Sequence, residues 1–315
     1  PLTPPVFGPA VEKTVATHLK SRLTYIMASE GSRNRFDLLF TNDAGRTDVV
    51  RVDGDGTILR ERPQNYDYPA PGLFQMALDF HETLFSGDRG KWFMGLSGAL
   101  LFSNLLFGLV LAWRTRTQTW RRVLLPGVAG KLTANIYKWH RALGLMLVFP
   151  AMGLVALGVL QEWPADQWLG IHAPTPTAHA TMQTHLVPLG AALDTALAHY
   201  PTAALSLVAM PSANEPWYRI RLRQPGELAR VYGATTLFVD VHDGAVLLDR
   251  DAFKLPLNEK IYNAIYPIHT GDFAGPLGRT FVLAFGLWLI TQAVLGLWLW
   301  RTRRERRKLN ISQHQ

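Results

Sequence analysis

Cysteine is absent from all 315 residues. That excludes disulfides, thiolate nucleophiles and iron–sulfur clusters. No glycine-rich phosphate loop links a predicted strand to a helix, and there is no nucleophile elbow, so nucleotide and serine-hydrolase chemistry drop out. Charge is missing from three stretches: Trp92 to Trp113 (22 residues), Ala142 to Leu160 (19) and Phe281 to Trp300 (20). With no Asp or Glu relay inside them, an ion-coupled transporter is disfavoured. Each stretch is long enough to cross a hydrocarbon core of about 30 Å at about 1.5 Å per residue. The overall hydrophobic share of 48% is ordinary, so the signal lies in its segregation.

The net charge of +8 is equally uneven. Arg114, Arg116, Arg121, Arg122, Lys131 and Lys138 separate the first two stretches, and Arg301, Arg303, Arg304, Arg306, Arg307 and Lys308 follow the third. This is the positive-inside pattern of a membrane protein, with contact to anionic lipid, and it points away from nucleic acid. The expected organisation is a first outer domain at 1–72, a histidine-bearing helix and span at 73–113, and a cytoplasmic loop at 114–139. A span at 140–162, a second outer domain at 163–257, a second histidine-bearing helix and span at 258–300, and a basic cytoplasmic tail at 301–315 complete it.

What is present is an internal repeat. His81-Glu-Thr-Leu-Phe85-Ser-Gly87-Asp-Arg-Gly90-Lys91 and His269-Thr-Gly-Asp-Phe273-Ala-Gly275-Pro-Leu-Gly278-Arg279 both read H-x3-F-x-G-x2-G-[KR], 188 residues apart. The offset continues into the spans, pairing Gly98 with Gly286, Asn104 with Gln292 and Gly108 with Gly296. The outer segments repeat too. Val52 to Arg62 and Val239 to Arg250 each read strand, Asp-Gly turn, strand, with one residue inserted in the second. Helices are expected over Pro9–Arg22 and Leu189–Tyr200, with further strands at Arg35–Phe40, Ala204–Ala209 and Trp217–Leu222. The fold class is therefore an α+β membrane protein: a helix bundle with two helix-plus-antiparallel-sheet outer domains related by a pseudo-twofold axis. His140 has no repeat partner in the sequence. Its counterpart falls about 48 residues before Pro1 (140 − 188), so a fourth span is expected upstream, where it would also carry the first outer domain across the membrane.

Two imidazoles facing each other across such an axis suit a bis-histidine haem. His81 lies on an apolar helical stripe with Leu73, Phe74, Ala77, Phe80 and Leu84, and His269 follows Ile261, Ile265 and Ile268. Both are expected to face an apolar interior. Lys91 and Arg279 hold equivalent places for haem propionates, or they anchor helix ends at the headgroups. Asn104 and Gln292 should face a partner, since an uncompensated amide in hydrocarbon is costly. His172, His179, His185 and His242 match no zinc spacing and read as surface histidines.

The chain resembles the PepSY-associated transmembrane family, the iron-regulated membrane proteins that include inner-membrane ferric-siderophore reductases. The matching residues are Trp139-His140-Arg141-Ala-Leu-Gly144, the segment from His81 to Gly98, Val239 to Arg250, and Tyr266-Pro-Ile-His269-Thr-Gly271-Asp-Phe-Ala-Gly275 through Arg279. The resemblance implies a bacterial inner-membrane protein with periplasmic domains. Its expected cofactors are two b-type haems, an outer one ligated by His81 and His269 and an inner one by His140 with a histidine of the upstream helix. The expected reaction passes electrons outward to a ferric chelate such as a ferric-siderophore. The loop at 114–139 is too short for a flavin or nicotinamide domain, so electrons come from a cytoplasmic reductase or from quinol. The alternative is a non-enzymatic module that binds or regulates a periplasmic peptidase or other protein, its spans serving as an anchor.

Overall fold

The computed structural model describes residues 4–18, 20–29, 34–63, 73–114, 123–125, 127, 132–172, 174–176, 187–228 and 232–312. They fall into two compact units, Pro1–Ala77 with Asp166–Ala264, and Leu78–Ala165 with Ile265–Gln315.

In the first unit, α1 (Pro4–Thr17) precedes β1 (Ser21–Ala28), β2 (Arg35–Asn42), β3 (Thr47–Asp53) and β4 (Ile58–Pro63). The second set repeats this: α6 (Leu189–His199), β5 (Ala204–Ala209), β6 (Trp217–Arg223), β7 (Thr235–Asp240) and β8 (Val246–Arg250). All neighbours are antiparallel, and the order is β4-β3-β2-β1-β5-β6-β7-β8. Where two separate small sheets were expected, there is one continuous sheet. Each four-stranded half would leave an edge of unpaired amides and carbonyls, and pairing β1 with β5 removes both.

The order is palindromic, and the register shows why. Residues 182 positions apart are equivalent: Ile26 faces Val208 across the β1–β5 seam, Leu38 pairs with Ile26 as Ile220 pairs with Val208, and the bulges at Leu23/Tyr25 and Leu205/Leu207 coincide. The helices cross at the same offset, where a Cβ on Gly8 would fall 2.6 Å from the Cα of Gly190. Only glycine allows that approach. Beyond the β6–β7 connection the offset becomes 187 (Val52 and Val239), and past the Asp-Gly turns it reaches 188 (Ile58 and Val246). α1 and α6 cover one face of the sheet, where Phe7, Val11, Leu189 and Leu193 pack with Phe36, Leu38, Val50, Ile220 and Leu237 in one apolar core.

Two expectations move. The first helix ends at Thr17, and Ser21–Ala28 is a strand that the sequence pattern hides. The bulge at Leu23/Tyr25 is the reason, because an extra residue breaks the two-residue alternation that marks a strand. The middle span begins earlier than residue 140.

Among the described residues, the second unit holds three helices long and apolar enough to cross a membrane: α3 (Gly87–Arg114), α4 (Leu132–Glu162) and α8 (Gly275–Ser312). α2 (Leu73–Thr83) and α7 (Leu257–Thr270) lead into α3 and α8, and a short α5 (Ala165–Trp168) follows α4. Small residues set the α3–α4 contact. A Cβ on Gly95 would lie 2.2 Å from Trp163 Nε1, and one on Gly98 would lie 2.7 Å from Val159 Cγ2. In hydrocarbon, where apolar burial drives little association, such close approach supplies the packing. α4 and α8 meet through Ala151, Phe285 and Trp288, flanked by Leu147 and Leu289.

Candidate functional site

Each histidine of the repeat ends a helix that turns sharply into a span, and the motif's glycines build the turn. Gly87 and Gly275, the first glycines, have φ of 56° and 58°. The second glycines sit against the carbonyl two residues after the histidine. A Cβ on Gly90 would lie 1.5 Å from Thr83 O, and one on Gly278 would lie 2.1 Å from Gly271 O. The spacing from histidine to glycine is thus the length of an elbow that aims the imidazole relative to the span.

The two elbows bring the imidazoles together. The ring centroids of His81 and His269 are 6.4 Å apart and their planes differ by 6°. Two imidazole–metal bonds of about 2 Å each, with about 1 Å from nitrogen to ring centre, put axial imidazole centroids about 6 Å apart. The spacing fits a shared iron.

His269 is held against α4. Its Nδ1 donates to the carbonyl of Leu154 at 2.9 Å, since a carbonyl can only accept. The ring lies over Gly158, where a Cβ would come 2.9 Å from Cε1. Burial pushes this imidazole below its usual pKa; the Leu154 carbonyl opposes the shift and the neighbouring His81 adds to it. The neutral ring therefore carries its one proton on Nδ1 and presents the Nε2 lone pair, as an imidazole oriented for a metal does.

His81 differs from expectation. It is exposed within the chain, as are Leu73, Ala77 and Phe80 of its stripe; Leu84 is half-buried, and the side chain of Phe74 lies outside the described residues. No described element covers that face, so its apolar character was no guarantee of burial.

Lys91 and Arg279 occupy equivalent places but have different partners. Lys91 Nζ lies 3.6 Å from the exposed carboxylate of Asp88. Arg279 Nε donates to Asp272 at 2.7 Å, and Asp272 is 7% exposed. Arg279 thus closes its own elbow, a structural task that the repeat alone did not reveal.

His140 sits on α4 beside Gly296 of α8, where a Cβ would lie 3.5 Å from Cε1. It has no second histidine beside it among the described residues, and its buried Nδ1 has no partner. The amides also depart from expectation. Asn104 lies on an exposed face of α3, and the buried Nε2 of Gln292 is unpaired. His172 Nδ1 bonds Gly170 O, His242 lies in the β7–β8 turn, and His179 and His185 fall outside the described residues. No cluster of three metal-binding side chains occurs among the described residues.

A family model described as the PepSY-associated TM region matches residues 6–303. No curated protein matches the chain.

Proposed function

The chain belongs to the PepSY-associated TM family, and from that premise we propose that it is a haem-dependent oxidoreductase of the bacterial inner membrane. It passes electrons outward to periplasmic ferric iron, held by a siderophore or similar chelate. The observation that carries this reading is the parallel His81–His269 pair, at 6.4 Å, with the Nδ1 of His269 committed to Leu154.

In this reading His81 and His269 hold an outer b-type haem, and His140 belongs to an inner one. Haem supplies a one-electron couple within the low-dielectric bundle. The chain's own residues do the rest. The Leu154 carbonyl fixes the tautomer and orientation of His269, Gly158 leaves room for its ring, and the two elbows hold the ring centroids 6.4 Å apart. Lys91 offers a cation toward propionates; Arg279 is shared with Asp272. Reduction weakens the grip of hard oxygen ligands on iron, because Fe(II) carries less charge, and so frees the metal. Electrons enter from a cytoplasmic reductase or from quinol. The basic segments flanking the spans support a topology with 114–139 and the C-terminal tail in the cytoplasm and both sheet halves in the periplasm.

The test is a dithionite-reduced minus oxidised spectrum of the full-length protein, with haem counted per chain. His81→Ala and His269→Ala should each remove the same b-type component. Unchanged spectra in both variants would overturn the assignment.

A further inference from the structure

At the other end of the bundle, the α4–α8 seam gathers polar atoms that have nothing to bind. Arg141 Nε, Gln292 Nε2 and His140 Nδ1 are all buried without a hydrogen-bond partner. The guanidinium and the Gln amide nitrogen can only donate, so the shortage is of acceptors. Beside them, Arg141 and Arg303 approach the same aromatic ring, that of Tyr137, at 6.0 and 5.1 Å from its centroid. Neither guanidinium forms an ion pair among the described residues. Across the seam Gly144 lies against Gln292 and Gly296 against His140. A buried donor left without an acceptor is costly.

We propose that Arg141 and Arg303 bind the carboxylate side chains of the tetrapyrrole whose iron His140 ligates. This rests on the haem reading of His140 and assigns what that reading leaves open, the residues that recognise the acidic edge. Carboxylates supply the missing acceptors, and a guanidinium meets them with a two-pronged, charge-assisted geometry. Arg303 lies two turns beyond Gly296 on α8, toward the basic tail, and Arg141 follows His140 directly on α4 and shares the Tyr137 ring with Arg303. Gln292 lies one turn deeper than Gly296 and offers its amide to the ligand's inner rim. The outer site meets the same demand differently, since Arg279 there is engaged by Asp272.

The test uses full-length protein loaded with haem or with haem dimethyl ester, whose carboxylates are capped. Haem per chain and the rate of transfer to apomyoglobin are measured for wild type, Arg141→Gln, Arg303→Gln and His140→Ala. Each arginine variant should release the inner haem about tenfold faster, the loss expected from one charge-assisted hydrogen bond. Its absorption bands should keep their positions, because the iron ligand is intact. Arg141→Lys should recover part of the retention. The dimethyl ester should leave wild type and arginine variants at the same rate. Equal acceleration with both ligands would overturn the proposal, since the arginines would then only support the helices. Unaltered release in the arginine variants while His140→Ala loses one haem would also overturn it, leaving the haem reading intact. Full haem content in His140→Ala would remove that reading of His140 and the proposal with it.

Discussion

The two halves of the repeat make the same elbow by different means. In the first, Leu84 and Phe85 carry the turn at φ of 48° and 56°, a conformation that side chains oppose by about 1–2 kcal/mol per residue. In the second, Gly271 takes φ 79° without that penalty, and Asp272 and Phe273 wind into a 3-10 turn closed by the Asp272–Arg279 pair. The second histidine is anchored to α4 through Leu154 and Gly158; the first is exposed. One half is thus braced while the other stores strain. The difference teaches that the repeat preserves where the imidazoles meet, and leaves each half free in how it gets there.

The sharpest way to break the comparison is at the glycines that both halves share. Gly90→Ala and Gly278→Ala should each destabilise by about 3 kcal/mol or more, because the added carbon meets a backbone carbonyl that cannot step aside. Thermal unfolding in detergent should show both variants melting far below wild type; a neutral result in either would mean that the elbow is not needed there. The elbow acids should separate the halves. Asp272→Ala should lower stability by about 2 kcal/mol, less than a fully buried pair would, because Arg279 reaches solvent. Asp88→Ala should leave the melting curve unchanged, its ion pair with Lys91 being solvated. Equal losses in the two would erase the distinction between braced and strained turns.

A smaller effect tests the strain itself. Leu84→Gly should raise stability by up to about 1 kcal/mol, relieving the left-handed backbone against glycine's greater chain entropy. The smallest concerns the sheet, where Phe36 and Tyr218 are equivalent at the 182-residue offset and only the tyrosine hydroxyl donates, to Val187 O. Tyr218→Phe should cost about 1 kcal/mol near neutral pH. Burial pushes the Tyr218 phenol up to about 12, with Glu12 adding to the shift. A raised folded value means that its contribution is complete below the unfolded pKa of about 10 and is lost as pH rises through that range. Alkaline titration should therefore narrow the gap between wild type and Tyr218→Phe; a constant gap from pH 7 to 11 would contradict the assignment.

Much of this was legible in the chain. Uncharged runs announce spans because hydrocarbon cannot solvate charge, and the Asp-Gly turns announce hairpins because few residues tolerate their backbone. The repeated histidine motif pointed to one meeting place, and the imidazoles do lie side by side. Other features were not legible. β1 was hidden by its bulge. The exposed stripe around His81 reads like any apolar helix face, since periodicity reports sidedness but not what covers the side. Arg279 and Lys91 match in sequence, yet a buried Asp272 stands beside only one of them.

By itself, then, the sequence determined the spans, the repeat, the hairpins and the histidines that should pair. Each of these is encoded by local composition or by spacing along one helix or strand. Tertiary structure alone decided that the two sheet halves join through β1 and β5, that Leu154 and Gly158 orient His269, that Arg303 meets the ring of Tyr137, and that Gly296 lies against His140. Those contacts join residues from about 100 to 180 positions apart, and no local pattern records which distant backbone carbonyl or ring a side chain will meet.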